Sequence, residues 1–151
     1  MNEIIEKYLN ETHIPREKIR IESLISRCES PIEELFVTAF YSLDALEYLK
    51  TYLGVEVAYA IPQFSIGKYR VDFVIAICPR PHEQCLYVVE LDGHEFHEKT
   101  KEQVKRNNQR DRYFLSEGIT ILHFSGSEVY NNPDACVKEV IECITGDDYI
   151  V

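Results

Sequence analysis

Two short apolar runs set the strongest limit on what this chain can become. They read Val71-Asp72-Phe73-Val74-Ile75-Ala76-Ile77 and Leu86-Tyr87-Val88-Val89-Glu90-Leu91. Both are rich in Val and other apolar side chains, and each predicts a buried β-strand. Each also carries one carboxylate, Asp72 or Glu90, in surroundings where an unpaired charge is costly. Such an acid needs a cation, hydrogen bonds or a strand end open to water.

The flanking pattern shows what kind of sheet these strands enter. Ser30-Pro31-Ile32-Glu33 is a helix start, with Ser as the cap, Pro at the first helical position and Glu three residues after the cap. Ile32, Leu35, Phe36, Ala39, Phe40 and Leu43 recur at helical spacing, which predicts one helix to about Tyr52, stopped by Gly54. Strand-like residues 55–61 and 63–66 follow, then a Gly67-Lys68 turn and strands over 69–77 and 85–91. Thr100 and Gln103 offer a second capping box, opening a helix that ends near Gly118. Residues 119–124 read as a short strand. Asn132-Pro133 starts a last helix with Val137, Val140, Ile141 and Ile144 inward and Gly146 as its stop. The order helix, three strands, helix, strand, helix requires a crossover and a mixed sheet covered on both faces, an α/β sandwich. Residues 1–28 read as a helical N-terminal extension and 29–151 as the main domain.

At 151 residues the chain has the length of one domain with a real core. No apolar run approaches the roughly 18 residues of a membrane helix. The acidic, amphipathic start MNEIIEKYLNE does not resemble an export signal, so a cytoplasmic location is expected. Five cysteines without a C-x-x-C pair read as reduced thiols, with Cys78 and Cys85 as small buried or half-buried side chains. A disulfide or metal site in the segment Cys78 to Cys85, with His82, is the lesser alternative. The net charge of −10 argues against strong nucleic-acid affinity. It is unevenly spread, however: residues 99–112 hold six Lys or Arg against two acids.

Strand alternation turns Glu90 and Asp92 to one face. If the loop between the two apolar strands is symmetric about Pro81, Asp72 falls directly opposite Glu90, with Cβ atoms about 5 Å apart. Two carboxylates that close repel unless one is protonated or a cation lies between them, and a hard divalent ion that keeps several waters suits them. In the competing reading Asp72 pairs with Arg70, Lys68 or Arg112, while Glu90 and Asp92 are a solvated strand end. Glu33 lies at the edge of its helix's apolar face and can reach a site at the sheet, although a capping-box Glu also has a local task.

The phrases Val71-Asp72-Phe73 and Glu90-Leu91-Asp92-Gly93-His94-Glu95-Phe96-His97 resemble the PD-(D/E)XK nuclease superfamily, above all small bacterial proteins similar to very-short-patch-repair endonucleases. Asn108-Gln109-Arg110-Asp111, Leu115, Gly118, Ile121-Leu122-His123-Phe124 and Ser30-Pro31-Ile32-Glu33 also fit that branch. The resemblance spans about residues 30–145.

It implies a restriction-endonuclease-like fold and Mg2+-dependent hydrolysis of phosphodiesters, DNA above all, with Mn2+ as a substitute. Asp72, Glu90 and Asp92 are the implied metal ligands. Glu33 matches a helix acid that helps hold metal or water, and His97 is the implied general acid or base. Asp92 stands where the superfamily usually has lysine, so Lys99, Lys101 or Lys105 is expected to supply the missing cation. Nucleic-acid contacts are expected from Lys99, Lys101, Lys105, Arg106 and Arg110; Arg110 and Asp111 also read as a structural ion pair. A homodimer or a partner protein is expected to add specificity. The alternative is a nuclease-fold module without chemistry that binds DNA or a protein.

Overall fold

The first helix forms where its cap lies. In the computed structural model, which describes residues 21–80, 83–92 and 100–146, Ser30 is extended and its hydroxyl accepts the Glu33 amide at 3.2 Å. Helix α1 (Pro31–Ser42) buries Leu35, Phe36, Val37, Ala39 and Phe40. It does not continue to Tyr52. Asp44 adopts the left-handed conformation (φ 54°), which its short polar side chain tolerates, and a second helix α2 (Ala45–Leu53) starts beyond it. The bend returns Leu46 and Leu49 to the same core as α1. Gly54, also left-handed, ends α2 as expected.

Strands β1 (Val57–Ile66), β2 (Tyr69–Cys78), β3 (Cys85–Asp92) and β4 (Thr120–Ser125) form one open sheet in that order. β1–β2 and β2–β3 are antiparallel and β3–β4 is parallel. The parallel pair is joined through α3 (Lys101–Ser116), whose Thr100–Gln103 capping box is formed on both sides. The two strand pieces expected over 55–66 are one edge strand. Pro62 is tolerated there because an edge residue needs no second ladder bond. Its neighbour Gln63 has φ 53° and drops out of the ladder at the position opposite Asp72.

A short helix α4 (Gly126–Asn131) precedes α5 (Pro133–Thr145). A Ser125–Glu128 capping box, a signal local to the sequence, opens α4. α5 begins at the Asn132 cap, ends at Gly146 and buries Val137, Val140, Ile141 and Ile144 as expected.

The sheet has a layer on each face. On one side Phe36, Phe40, Phe73, Val89, Leu91, Phe124 and α5 form the larger core. On the other, α3 covers Val71, Val74 and Val88 with Phe114. Helical residues 21–25 pack Ile21 and Ile25 against Tyr41 of α1. The five cysteines are free. Cys136 is buried, Cys28 and Cys78 are half-buried and Cys143 is exposed; Cys85 is exposed too, against the expectation that it would be at least half-buried. No helix among the described residues is long and apolar enough to cross a membrane.

Candidate active site

The antiparallel register of β2 and β3 pairs Phe73 with Val89 and Ile77 with Cys85. One step further along this register Asp72 faces Glu90, as loop symmetry predicts. The Asp72 carboxylate accepts the amide of Leu91 at 2.8 Å, which holds it beside Glu90. Glu90 is buried, and its Oε1 has no hydrogen-bond partner. Burial first, and then the negative charge of Asp72, push the Glu90 carboxyl up from 4.5 to about 8, against the opposing pull of Arg110.

Two of the competing partners for Asp72 are engaged elsewhere. Arg70 pairs with Glu29 at 2.7 Å, and Lys68 lies over the Tyr69 ring. The cation that does reach the acids is Arg110, whose Nη1 is 3.5 Å from Glu90 Oε2. Its Nε lies 3.7 Å from Asp111 Oδ1. Arg110 and Asp111 thus form the expected ion pair, and it is part of the site.

Asp92 shares the face of Glu90, but its carboxylate lies 3.4 Å from His123 Nδ1. His123 stands beside Glu90 in the parallel ladder, and its other ring nitrogen is 3.2 Å from Asp111 Oδ2. The Asp92 hydrogen bond, together with the charges of Asp111 and Asp92, raises the His123 pKa above its ordinary 6.5 despite partial burial. Sequence reasoning placed His123 in a matching motif without giving it a role. Its signal, one His alternating with apolar residues on β4, does not reveal which carboxylates flank it.

Glu33 reaches the same end of the sheet from α1. It accepts from the Glu29 amide (3.0 Å), the Ser30 hydroxyl (3.2 Å) and Gln63 Nε2 (2.8 Å), and Gln63 is the residue opposite Asp72. Cys28 lies in the same neighbourhood. Burial, followed by the charges of Glu33, Glu34 and Asp72, pushes its thiol up to about 12. Lys101, Lys105 and Arg106 project into solvent from α3. His97 and Lys99 lie outside the described residues.

Asp72 and Glu90 fit a divalent cation. Both offer hard oxygen donors, one buried oxygen is unpaired, and Mg2+ is commonly held by one or two carboxylates with water completing its shell. No group of three His, Cys, Asp or Glu side chains suited to a metal occurs among the described residues. Within them the donor set is the Asp72–Glu90 pair, with Asp92 engaged by His123.

Residues 47–144 match the model of the restriction-endonuclease-like family REase_MTES_1575. The chain belongs to this family. The match takes in all four strands and α3, and with them Asp72, Glu90, Asp92, Arg110, Asp111 and His123; Glu33 precedes it. The four-stranded mixed sheet flanked by helices agrees with a restriction-endonuclease-like fold. No curated protein and no solved structure matches the chain.

Proposed function

We propose that this REase_MTES_1575 member is a metal-dependent endonuclease that hydrolyses phosphodiester bonds, with DNA as its substrate. The observation that carries this reading is the facing pair Asp72 and Glu90, where burial first and then the nearby Asp72 charge raise the Glu90 carboxyl to about 8. Arranging two acids this way costs stability, and perturbed groups of this kind concentrate at functional sites. Mg2+, with Mn2+ as a substitute, would be held by Asp72 and Glu90, and when bound would polarise the phosphate and lower the pKa of the attacking water.

The protein's own residues have separate tasks. Asp72 is aimed by the Leu91 amide, and Glu90 would hold the cation through its carboxylate oxygens. Glu33 is spoken for by three donors, so its task is to hold the α1 end and Gln63 against β2. Asp92 contributes through His123. Lys101, Lys105 and Arg106, exposed on α3, would contact the phosphate backbone, which positions nucleic acid without reading its sequence. His97 as general acid or base, Lys99 as a further phosphate contact, and the kinship to very-short-patch-repair enzymes rest on the sequence resemblance. With a formal charge of −10, weak affinity is expected, so a homodimer or a partner protein would supply specificity.

A nuclease-fold module without chemistry is the second reading, favoured by the aspartate at position 92 and by Arg110 lying on Glu90. Supercoiled plasmid separates the two. The enzyme nicks it in Mg2+ or Mn2+, and loses this in Asp72→Ala and Glu90→Ala. Plasmid retained on the protein without nicking would establish the module instead.

A further inference from the structure

Strand β3 (Cys85–Asp92) carries no Lys or Arg, so it brings no positive charge to the acids. The charge arrives from the crossover helix. Arg110 sits with its guanidinium 3.5 Å from Glu90 Oε2, and its side chain is 16% exposed. A guanidinium carries five N–H donors in a planar fork. Among the described residues none of them makes a hydrogen bond, and Nε is buried without a partner. Buried donors are normally satisfied, so an ion-paired fork whose Nε is a buried orphan is suited to take a ligand's acceptors. A phosphate is the group whose oxygens match that fork, two donors to two acceptors.

The residue that sets the fork's direction is Asp111. One of its oxygens faces Arg110 Nε at 3.7 Å. The other faces His123 Nε2 at 3.2 Å, and the far side of that ring meets Asp92 at 3.4 Å. Glu90, Arg110, Asp111, His123 and Asp92 therefore form a continuous chain of polar contacts that starts and ends on β3. The aspartate at position 92 anchors this chain instead of contributing a cation itself.

We propose that Arg110 is a catalytic residue that donates to a non-bridging oxygen of the scissile phosphate, and that Asp111, tied to His123, is the positioning residue that aims it. The proposal rests on the nuclease reading. In the hydrolysis, the oxygen of water bonds to phosphorus and the bond from phosphorus to the leaving sugar oxygen breaks. One proton of the water passes to solvent, and the leaving oxygen takes one up. Negative charge gathers on the non-bridging oxygens, and Arg110 meets it there.

Plasmid nicking in Mn2+, DNA affinity in Ca2+, and Mn2+ affinity by calorimetry test this on the full chain. Arg110→Ala is expected to lose about 100-fold in nicking rate, with DNA affinity falling far less than the rate and Mn2+ bound more tightly once the competing guanidinium is gone. Added guanidinium ion restores part of the rate in Arg110→Ala and none in Asp72→Ala. Asp111→Asn loses about 10-fold in rate, as an outer residue that orients a working one does, and gains nothing from guanidinium. Arg110→Lys keeps the charge without the fork and falls between wild type and Arg110→Ala. It also serves as the readout should Arg110→Ala not fold. Nicking by Arg110→Ala at the wild-type rate overturns the proposal and leaves the nuclease reading standing. So does a loss matched by equally weakened DNA binding, or the absence of any guanidinium rescue. A wild type that binds DNA and never nicks it overturns both.

Discussion

Glu33 and Arg110 reach the same end of the sheet from opposite layers, and they are held in opposite ways. The Glu33 carboxylate accepts three hydrogen bonds, and its helix buries seven of twelve residues. Arg110 makes no hydrogen bond among the described residues, and its helix of sixteen buries Phe114 alone. Satisfied polar groups on a deeply packed helix make a fixed wall. Unsatisfied polar groups on a thinly packed helix leave donors for a ligand. The α1 layer stabilises the domain, while the α3 layer presents charge.

The comparison breaks most easily in the core. Phe36 is fully buried and its ring meets Phe40, Phe73 and Phe124. Phe36→Ala should cost about 3–5 kcal/mol in urea unfolding. A loss no greater than that of the α3 substitutions below would mean the two layers do not differ.

The next effect is on pH dependence. With its carboxyl raised to about 8, Glu90 holds a proton in the folded protein that the unfolded chain releases near 4.5. The folded state then binds more protons across that window, so metal-free stability falls as pH rises from about 5 to 8. The raised His123 pKa acts in the same direction above 6.5. Melting temperatures in EDTA between pH 5 and 8 should show this slope, and Glu90→Gln should flatten it. A slope that survives the substitution assigns the protons to other groups.

The seat of α3 is more modest. Gly67 has φ 58°, and a Cβ there would lie 2.5 Å from the Tyr113 hydroxyl. Gly67→Ala is expected to cost about 1–3 kcal/mol from the left-handed backbone, with more if Tyr113 cannot yield. Equal stability in urea would show that the turn relaxes freely. At the small end, Leu115 is 77% exposed on α3, and Leu115→Ala should stay within about 0.5 kcal/mol of wild type. A larger loss would reveal a buried role for that face.

Much of the site was legible because strands convert spacing into geometry. The alternation of β3 put Glu90 and Asp92 on one face, and the near-symmetric loop at Pro81 brought Asp72 opposite Glu90. The capping signals at Ser30, Thr100 and Asn132 located three helices because their hydrogen bonds are local. The break at Asp44 was hidden, since the apolar spacing of α1 and α2 runs on through it and only a shared core makes the chain turn. His123 was hidden for the same kind of reason.

By itself the sequence determined which acids meet, because two strands joined by one loop have a register that residue order alone can set. It also specified a charged helix between β3 and β4. Only the tertiary structure decided where that helix lies across the sheet, and so that Arg110 rests on Glu90 and Asp111 on His123. Those contacts join side chains on separate elements, whose relative placement depends on how Phe114, Tyr113 and the strand faces pack together. No periodicity within one segment encodes that packing.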